Sequence, residues 1–167
     1  AVVLLHGIGH TKWNMFLIEN ALSKADYEVI NLTYPSTKKD IPTCAAFVKT
    51  KLDNLSIWNK YKKIHFVTHS MGGLVTRTYL HNYQEFIPPD KMGRVVMIAP
   101  PHKGSEVADL LENIFLYKWM FGPAGQQLTT RHQSKYDDKI NYELGIIAGK
   151  KEWPYFVARH VIGDEND

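Results

Sequence analysis

The stretch Ile64-His65-Phe66-Val67-Thr68-His69-Ser70-Met71-Gly72-Gly73 decides the fold of this 167-residue chain. Its first half is a short run of apolar and β-branched residues, which is typical of a buried strand. The residues that follow the glycines have helical spacing, and one face of that helix comprises Leu74, Val75, Thr78 and Tyr79. The stretch therefore predicts a strand that turns sharply into a helix at Ser70.

Short apolar runs alternate with helical patterns along the rest of the chain. Further strands are predicted at residues 2–5, 27–32, 94–99 and 144–148. Helices are predicted after the first, second and fourth strands. Their apolar faces are Trp13, Phe16, Leu17, Ala21 and Leu22; then Ile41, Ala45, Val48, Leu52 and Leu55, with Asp40 as the cap; then Val107, Leu110, Leu111, Ile114 and Phe115. Five strands and four helices predict an α/β protein with an open, doubly wound, mostly parallel sheet, in one domain spanning residues 1–167.

Charge and cysteine content exclude several classes of protein. The chain has 20 Lys and Arg residues against 17 Asp and Glu residues, and the cations are scattered, so nucleic-acid binding is not expected. The single cysteine, Cys44, can form neither an intrachain disulfide nor a cysteine-based zinc site. No apolar run approaches the roughly 18 residues of a membrane span, so we expect no integral membrane segment. Compartment and oligomeric state do not follow from the sequence.

The spacing Thr68-x-Ser70-x-Gly72 suits a serine that acts as a nucleophile. A serine hydroxyl becomes reactive when a neighbouring base takes its proton, and an exposed tight turn lets base and substrate reach it. Such a turn needs small residues on both sides of the serine, which Gly72 provides, whereas Thr68 is larger than the usual glycine. The amide of Met71, at the start of the helix, would stabilise the developing oxyanion. The alternative is that Ser70 only caps the helix.

A second informative segment, His6-Gly7-Ile8-Gly9-His10, follows the first strand. Glycine lets the backbone approach a reacting carbonyl, so the amide of Ile8 is the second candidate oxyanion donor. A dinucleotide-binding loop is disfavoured because Lys12 stands where its third glycine belongs. A metal site of His6 and His10 is disfavoured because the glycines break the helix that would align them. A turn without further role is the remaining alternative.

Together these segments resemble the α/β-hydrolase superfamily, in its branch of bacterial serine esterases and lipases. Other matching words span the chain: Asn31-Leu32-Thr33-Tyr34-Pro35-Ser36, Ala99-Pro100-Pro101-His102-Lys103-Gly104-Ser105, Gly122-Pro123-Ala124-Gly125-Gln126-Gln127-Leu128 and Gly163-Asp164-Glu165-Asn166-Asp167. The resemblance implies Ser70 as nucleophile and the amides of Ile8 and Met71 as the oxyanion hole. It also implies a small-molecule or lipid ester as substrate and no metal or organic cofactor. The residues that support the two motifs are His6, Gly7, His69 and Gly72.

The resemblance also places the triad's acid in the turn at residues 165–167. Asp167 is the candidate and Asp164 the second choice, while an ordinary solvated acidic turn is the alternative. In this superfamily the histidine follows the acid, but all eight histidines of this chain precede Asp167. We therefore expect the last strand, the last helix and the catalytic histidine to lie outside this sequence. The alternative pairs Asp138 with His160.

The function predicted from the sequence is hydrolysis of carboxylic esters through an acyl-enzyme intermediate. Two other functions remain open. An acyltransferase would use an alcohol or thiol in place of water, and a non-catalytic binding protein would retain the serine turn by descent.

Overall fold

The computed structural model describes residues 1–100 and 141–148, and their strands form a single parallel sheet. The strands are β1 (Val2–Leu5), β2 (Val29–Leu32), β3 (Ile64–His69), β4 (Met92–Ile98) and β5 (Leu144–Ile147). Their order across the sheet is β2-β1-β3-β4-β5, and every neighbouring pair is parallel. All five predicted strands are therefore confirmed, with ends that differ by at most two residues.

Helices cover both faces of this sheet, as predicted for a doubly wound fold. They are α1 (Phe16–Lys24), α2 (Ile41–Asn54), α3 (Ile57–Lys60) and α4 (Met71–Asn82), with 3-10 turns at Lys12–Met15 and Gln84–Phe86. Successive side chains of a strand point to opposite faces. Val2 and Leu4 of β1 accordingly pack on the side of α1, whereas Val3 and Leu5 pack in the core that contains α2 and α4.

The predicted apolar face of the first helix is wrong except at Leu22. Trp13 is 72% exposed and Leu17 is 78% exposed. The side chains that contact the sheet here are Met15, Ile18 and Leu22, which are also spaced as one helical face. Two overlapping apolar patterns thus occur in this segment, and packing selects the one that begins at Met15.

The second helix is confirmed in its start and in most of its face. Asp40 caps α2 by accepting a hydrogen bond from the Thr43 amide at 2.9 Å, which satisfies one of the free N–H groups of the first turn. Four of the predicted residues are buried: Ile41, Ala45, Val48 and Leu52. Leu55, in contrast, is the residue at which the helix ends and is about half exposed. The four-residue helix α3 is too short to leave a periodic pattern in the sequence.

The strand order creates one position suited to a functional site. After β1 the chain moves outward to β2 and then returns to β3 on the other side of β1. In open parallel sheets, ligands bind outside the carboxyl ends of the strands where the order reverses in this way. Here that position lies between β1 and β3, and the segments at their carboxyl ends begin with His6 and Ser70.

Candidate active site

Ser70 occupies a strained turn between β3 and α4. Its backbone angles are φ 51° and ψ −126°, a region that residues with a side chain rarely adopt. The turn is held by two backbone hydrogen bonds: the Ser70 amide donates to the Ile98 carbonyl, and the Gly73 amide donates to the Ser70 carbonyl, both at 2.9 Å. The Ser70 side chain makes no capping hydrogen bond to α4, so this serine does not act as a helix cap.

The close approach of α4 to β1 depends on Gly72. A Cβ atom at this position would lie 2.6 Å from the Leu5 carbonyl oxygen and 2.8 Å from that of His6. Both distances are far below van der Waals contact, and both involve backbone oxygens at the carboxyl end of β1. The start of α4 can therefore pack against β1 because residue 72 has no side chain.

Gly7 brings the first motif directly beside the serine. A Cβ atom built on Gly7 would lie 3.2 Å from Cβ of Ser70 and 3.1 Å from Nδ1 of His69. The ring of His10 is within 3.6 Å of the same point. The two segments singled out in the sequence, 63 residues apart at Gly7 and Ser70, thus meet at the switch point of the sheet.

The amides of Ile8 and Met71 lie in these two segments. Met71 is the first residue of α4 and is buried, whereas Ile8 is half-buried in the loop after β1. Within the described part of the chain, neither amide donates a hydrogen bond to another protein group. Among the described residues, the N–H groups of Ile8 and Met71 are thus unpaired, and they belong to the two segments that meet at Ser70.

His6 is completely buried, and its ring forms hydrogen bonds that hold the loop after β1. Its Nδ1 donates to the Gly7 carbonyl at 2.7 Å, and its Nε2 accepts a hydrogen bond from the Tyr34 amide at 3.3 Å. Burial is the main cause that lowers the pKa of His6, so the ring is neutral with its proton on Nδ1. This arrangement agrees with a supporting role for His6 and leaves no nitrogen for a metal ion.

His69, the residue before the serine, differs from His6 in its hydrogen bonding. Its Nδ1 is buried and has no hydrogen-bond partner in the described residues. Burial lowers the pKa of His69, and the charge of His10 lowers it further. Burial thus disfavours the charged form of both His6 and His69 at this site.

The residues predicted to act as acid and base lie outside the part of the chain that the structure describes. Asp167, Asp164, Asp138 and His160 all lie outside residues 1–100 and 141–148, as does the predicted helix with Val107 and Leu110. No hydrogen bond joins the side chain of Ser70 to any described histidine.

The described ranges contain neither a cluster suited to a metal ion nor a helix suited to a membrane span. Across residues 1–100 and 141–148, no group of three or more His, Cys, Asp or Glu side chains is placed to hold a metal ion. In the same part of the chain, no helix has the length and apolar character needed to cross a membrane.

Two residues at the site were not assigned a role from the sequence. Tyr34 and Ser36 contact the loop after β1: the Tyr34 hydroxyl donates to the His6 carbonyl at 2.6 Å, and Ser36 Oγ accepts from the Gly9 amide at 3.2 Å. The signal that could have found them is strand pairing, because Leu5 lies opposite Leu32 and the residues that follow each strand are therefore neighbours.

A strained serine in a strand-to-helix turn, at the switch point of a parallel sheet, is an arrangement typical of α/β-hydrolases. The chain belongs to the alpha/beta hydrolase family, whose sequence profile matches residues 2–164.

Solved structures with a similar fold include several lipases. The mature lipase BlEst2 of Bacillus licheniformis is 21% identical, with a TM-score of 0.71 over 90% of this chain and 65% of that protein. Phospholipase PlaB of Legionella pneumophila is 17% identical, with a TM-score of 0.71 over 93% of this chain and 40% of that protein. The monoacylglycerol lipase of Paleococcus ferrophilus is 17% identical, with a TM-score of 0.61 over 89% and 72%. The chain thus spans less than two thirds of the first two proteins.

Proposed function

We propose that this chain carries the nucleophile and oxyanion hole of a serine hydrolase that cleaves carboxylic esters. The observation that carries the proposal is the strained Ser70, held beside Gly7 at the carboxyl ends of β1 and β3. Strain at a residue with a side chain costs free energy, and it persists at sites where the conformation is needed for function. Membership of the alpha/beta hydrolase family supports the same conclusion.

The proposed mechanism has two steps. Ser70 Oγ attacks the ester carbonyl carbon while a histidine takes the hydroxyl proton, and the carbonyl oxygen becomes an oxyanion that the amides of Ile8 and Met71 stabilise. The histidine then protonates the leaving alcohol, and an acyl ester on Ser70 remains. Water, activated by the same histidine, hydrolyses this ester and regenerates the serine.

The acid and base complete the proposal. Asp167 is the proposed acid, with Asp164 as second choice, and it would orient a histidine that follows it in the full-length protein. The pair Asp138 and His160 is the alternative, which predicts that residues 1–167 alone turn over ester. Hydrolysis of a p-nitrophenyl ester by the 167-residue chain, compared with the full-length protein, separates the two.

Lipid esters are the proposed substrate class. The supporting comparison is that the similar structures are a lipase, a phospholipase and a monoacylglycerol lipase. All three names imply a substrate that is an ester of an acyl chain. The carbonyl of that ester is therefore the group that Ser70 would attack.

A serine-directed fluorophosphonate probe tests the proposal on the full-length protein. We expect labelling of the wild type and complete loss of labelling in Ser70→Ala. Ser23→Ala is the matched control, because Ser23 is exposed near the end of α1, the end that leads toward β2. It should label like the wild type. A wild type that neither labels nor hydrolyses ester would reject the proposal and favour a binding protein with the same fold.

A further inference from the structure

We propose that Tyr34 is a positioning residue that fixes the Ile8 amide for oxyanion binding by clasping the loop at residues 6–9. This inference rests on the proposed function, since it assigns a role in the same reaction. Tyr34 follows β2, whereas the loop follows β1, so the contact joins the ends of two adjacent strands.

Three contacts tie Tyr34 to His6. The phenol hydroxyl donates to the His6 carbonyl at 2.6 Å, the backbone amide donates to His6 Nε2 at 3.3 Å, and the two rings stack with centroids 4.4 Å apart and an interplanar angle of 15°. Tyr34 is only 3% exposed and His6 is fully buried. Burial also raises the pKa of the Tyr34 phenol, so the hydroxyl keeps the proton that it donates.

Hydrogen bonds of Ser36 anchor the other end of the loop. The Gly9 amide donates to Ser36 Oγ at 3.2 Å, and the Ser36 amide in turn donates to the Tyr34 carbonyl at 2.8 Å. Ser36 is buried as well. Ile8 therefore lies between two anchored positions, one on each side, and its own amide is left without a protein partner in the described residues.

The loop needs these external anchors because its own backbone is permissive. It contains Gly7 and Gly9, and Gly9 has a positive φ of 71°. Glycine restricts the backbone least of all residues. The backbone hydrogen bond that closes the turn around Ile8, from the His10 amide to the Gly7 carbonyl, is long at 3.4 Å, so the direction of the Ile8 N–H depends on the external anchors as well. An oxyanion donor is effective only when it is already placed where the negative charge develops. Tyr34 supplies that placement without contacting the substrate.

Tyr34→Phe is the test, with Tyr79→Phe as its matched control. Both variants remove one buried hydroxyl that takes part in a hydrogen bond, because Tyr79 accepts from Trp58 Nε1 at 3.0 Å in the core beside α4. For hydrolysis of a p-nitrophenyl ester by the full-length protein, we expect Tyr34→Phe to lower kcat about tenfold with KM changed less than about twofold. Tyr79→Phe should lower the urea midpoint about as much as Tyr34→Phe does, but it should leave kcat within about twofold of the wild-type value.

Hydrogen exchange provides a readout that does not depend on activity. The protection of the Gly9 amide should fall in Tyr34→Phe and stay at the wild-type level in Tyr79→Phe. If Tyr34→Phe does not fold, Ser36→Ala replaces it, with the same expected fall in kcat.

The outcomes separate this inference from the proposed function. Equal kcat in Tyr34→Phe and wild type, with Ser70→Ala inactive, would overturn the role of Tyr34 and leave the hydrolase proposal intact. If the wild type itself shows no labelling and no hydrolysis, the hydrolase proposal fails. The clasp is then judged by Gly9 exchange alone, and equal protection in both tyrosine variants overturns it.

Discussion

At the scale of single residues, the site depends on one strained serine and the glycine that permits it. The backbone conformation of Ser70 costs on the order of 1–3 kcal/mol, which the surrounding contacts must offset. They include the hydrogen bond from the Ser70 amide to β4 and the close contact of Gly72 with β1. The need for glycine at position 72 could be predicted from the sequence, because a sharp strand-to-helix turn requires a residue without a side chain there. The strain itself could be seen only in the structure.

Gly72→Ala should therefore destabilise the protein and reduce its activity. The new Cβ would overlap the Leu5 and His6 carbonyl oxygens, so α4 or β1 must shift, at a cost of about 1–3 kcal/mol in the free energy of unfolding. Gly145→Ala is the control, since the nearest atom to a Cβ there is 3.8 Å away. Urea unfolding should show a change within about 0.5 kcal/mol for the control. Equal losses in both variants would contradict this account of Gly72.

At the scale of elements, the segment before α1 shows where the sequence was ambiguous. Trp13, Phe16 and Leu17 share a helical spacing with Leu22, but so do Met15 and Ile18, and hydrophobic periodicity cannot choose between them. The choice is made by which set fits against β1 and β2 in the folded protein.

Truncation of the two candidate faces should give opposite results. Met15→Ala removes a side chain that is 1% exposed, so we expect a loss of about 2–5 kcal/mol in the free energy of unfolding. Trp13→Ala removes a larger but mostly exposed side chain, so the change should stay within about 0.5 kcal/mol. Urea denaturation followed by far-ultraviolet circular dichroism measures both. A larger loss for Trp13→Ala would restore the face expected from the sequence.

At the scale of the whole molecule, the site forms only because β1 and β3 are neighbours. The two motifs were found in the sequence by their local patterns, and each pattern could be assigned to the end of a strand. The contact of Gly7 with Ser70 follows once the strand order is known. The role of Tyr34 and Ser36 could not be inferred earlier, because it depends on the pairing of β1 with β2 and not on any local motif.

Three histidines of the described residues should make the whole molecule less stable in mild acid. Burial is the main cause that lowers the pKa values of His6, His65 and His69 below their ordinary value of 6.5. In each of these histidines, a second ring proton would also occupy a nitrogen that now accepts a hydrogen bond or is buried. His6 Nε2 accepts from the Tyr34 amide, His65 Nδ1 accepts from the Arg94 amide at 3.0 Å, and His69 Nδ1 is buried without a partner in the described residues.

The sign follows from proton binding. As the pH falls below 6.5, the unfolded chain takes up protons that the folded protein still refuses, so the free energy of unfolding falls until the lowered folded pKa values are passed. Above 6.5 the contribution of these histidines is complete. Asp40, whose hydrogen bond with Thr43 lowers its pKa from 3.8, acts in a separate and more acid range. Urea unfolding at about pH 7.5 and about pH 5.5 measures this fall together with that of the Ala1 amino group, whose pKa burial lowers from 8.0. The histidine part is identified by His65→Gln, which keeps an acceptor and should show a smaller fall than the wild type. Equal free energies of unfolding at the two pH values would mean that the folded protein binds these protons as readily as the unfolded chain does.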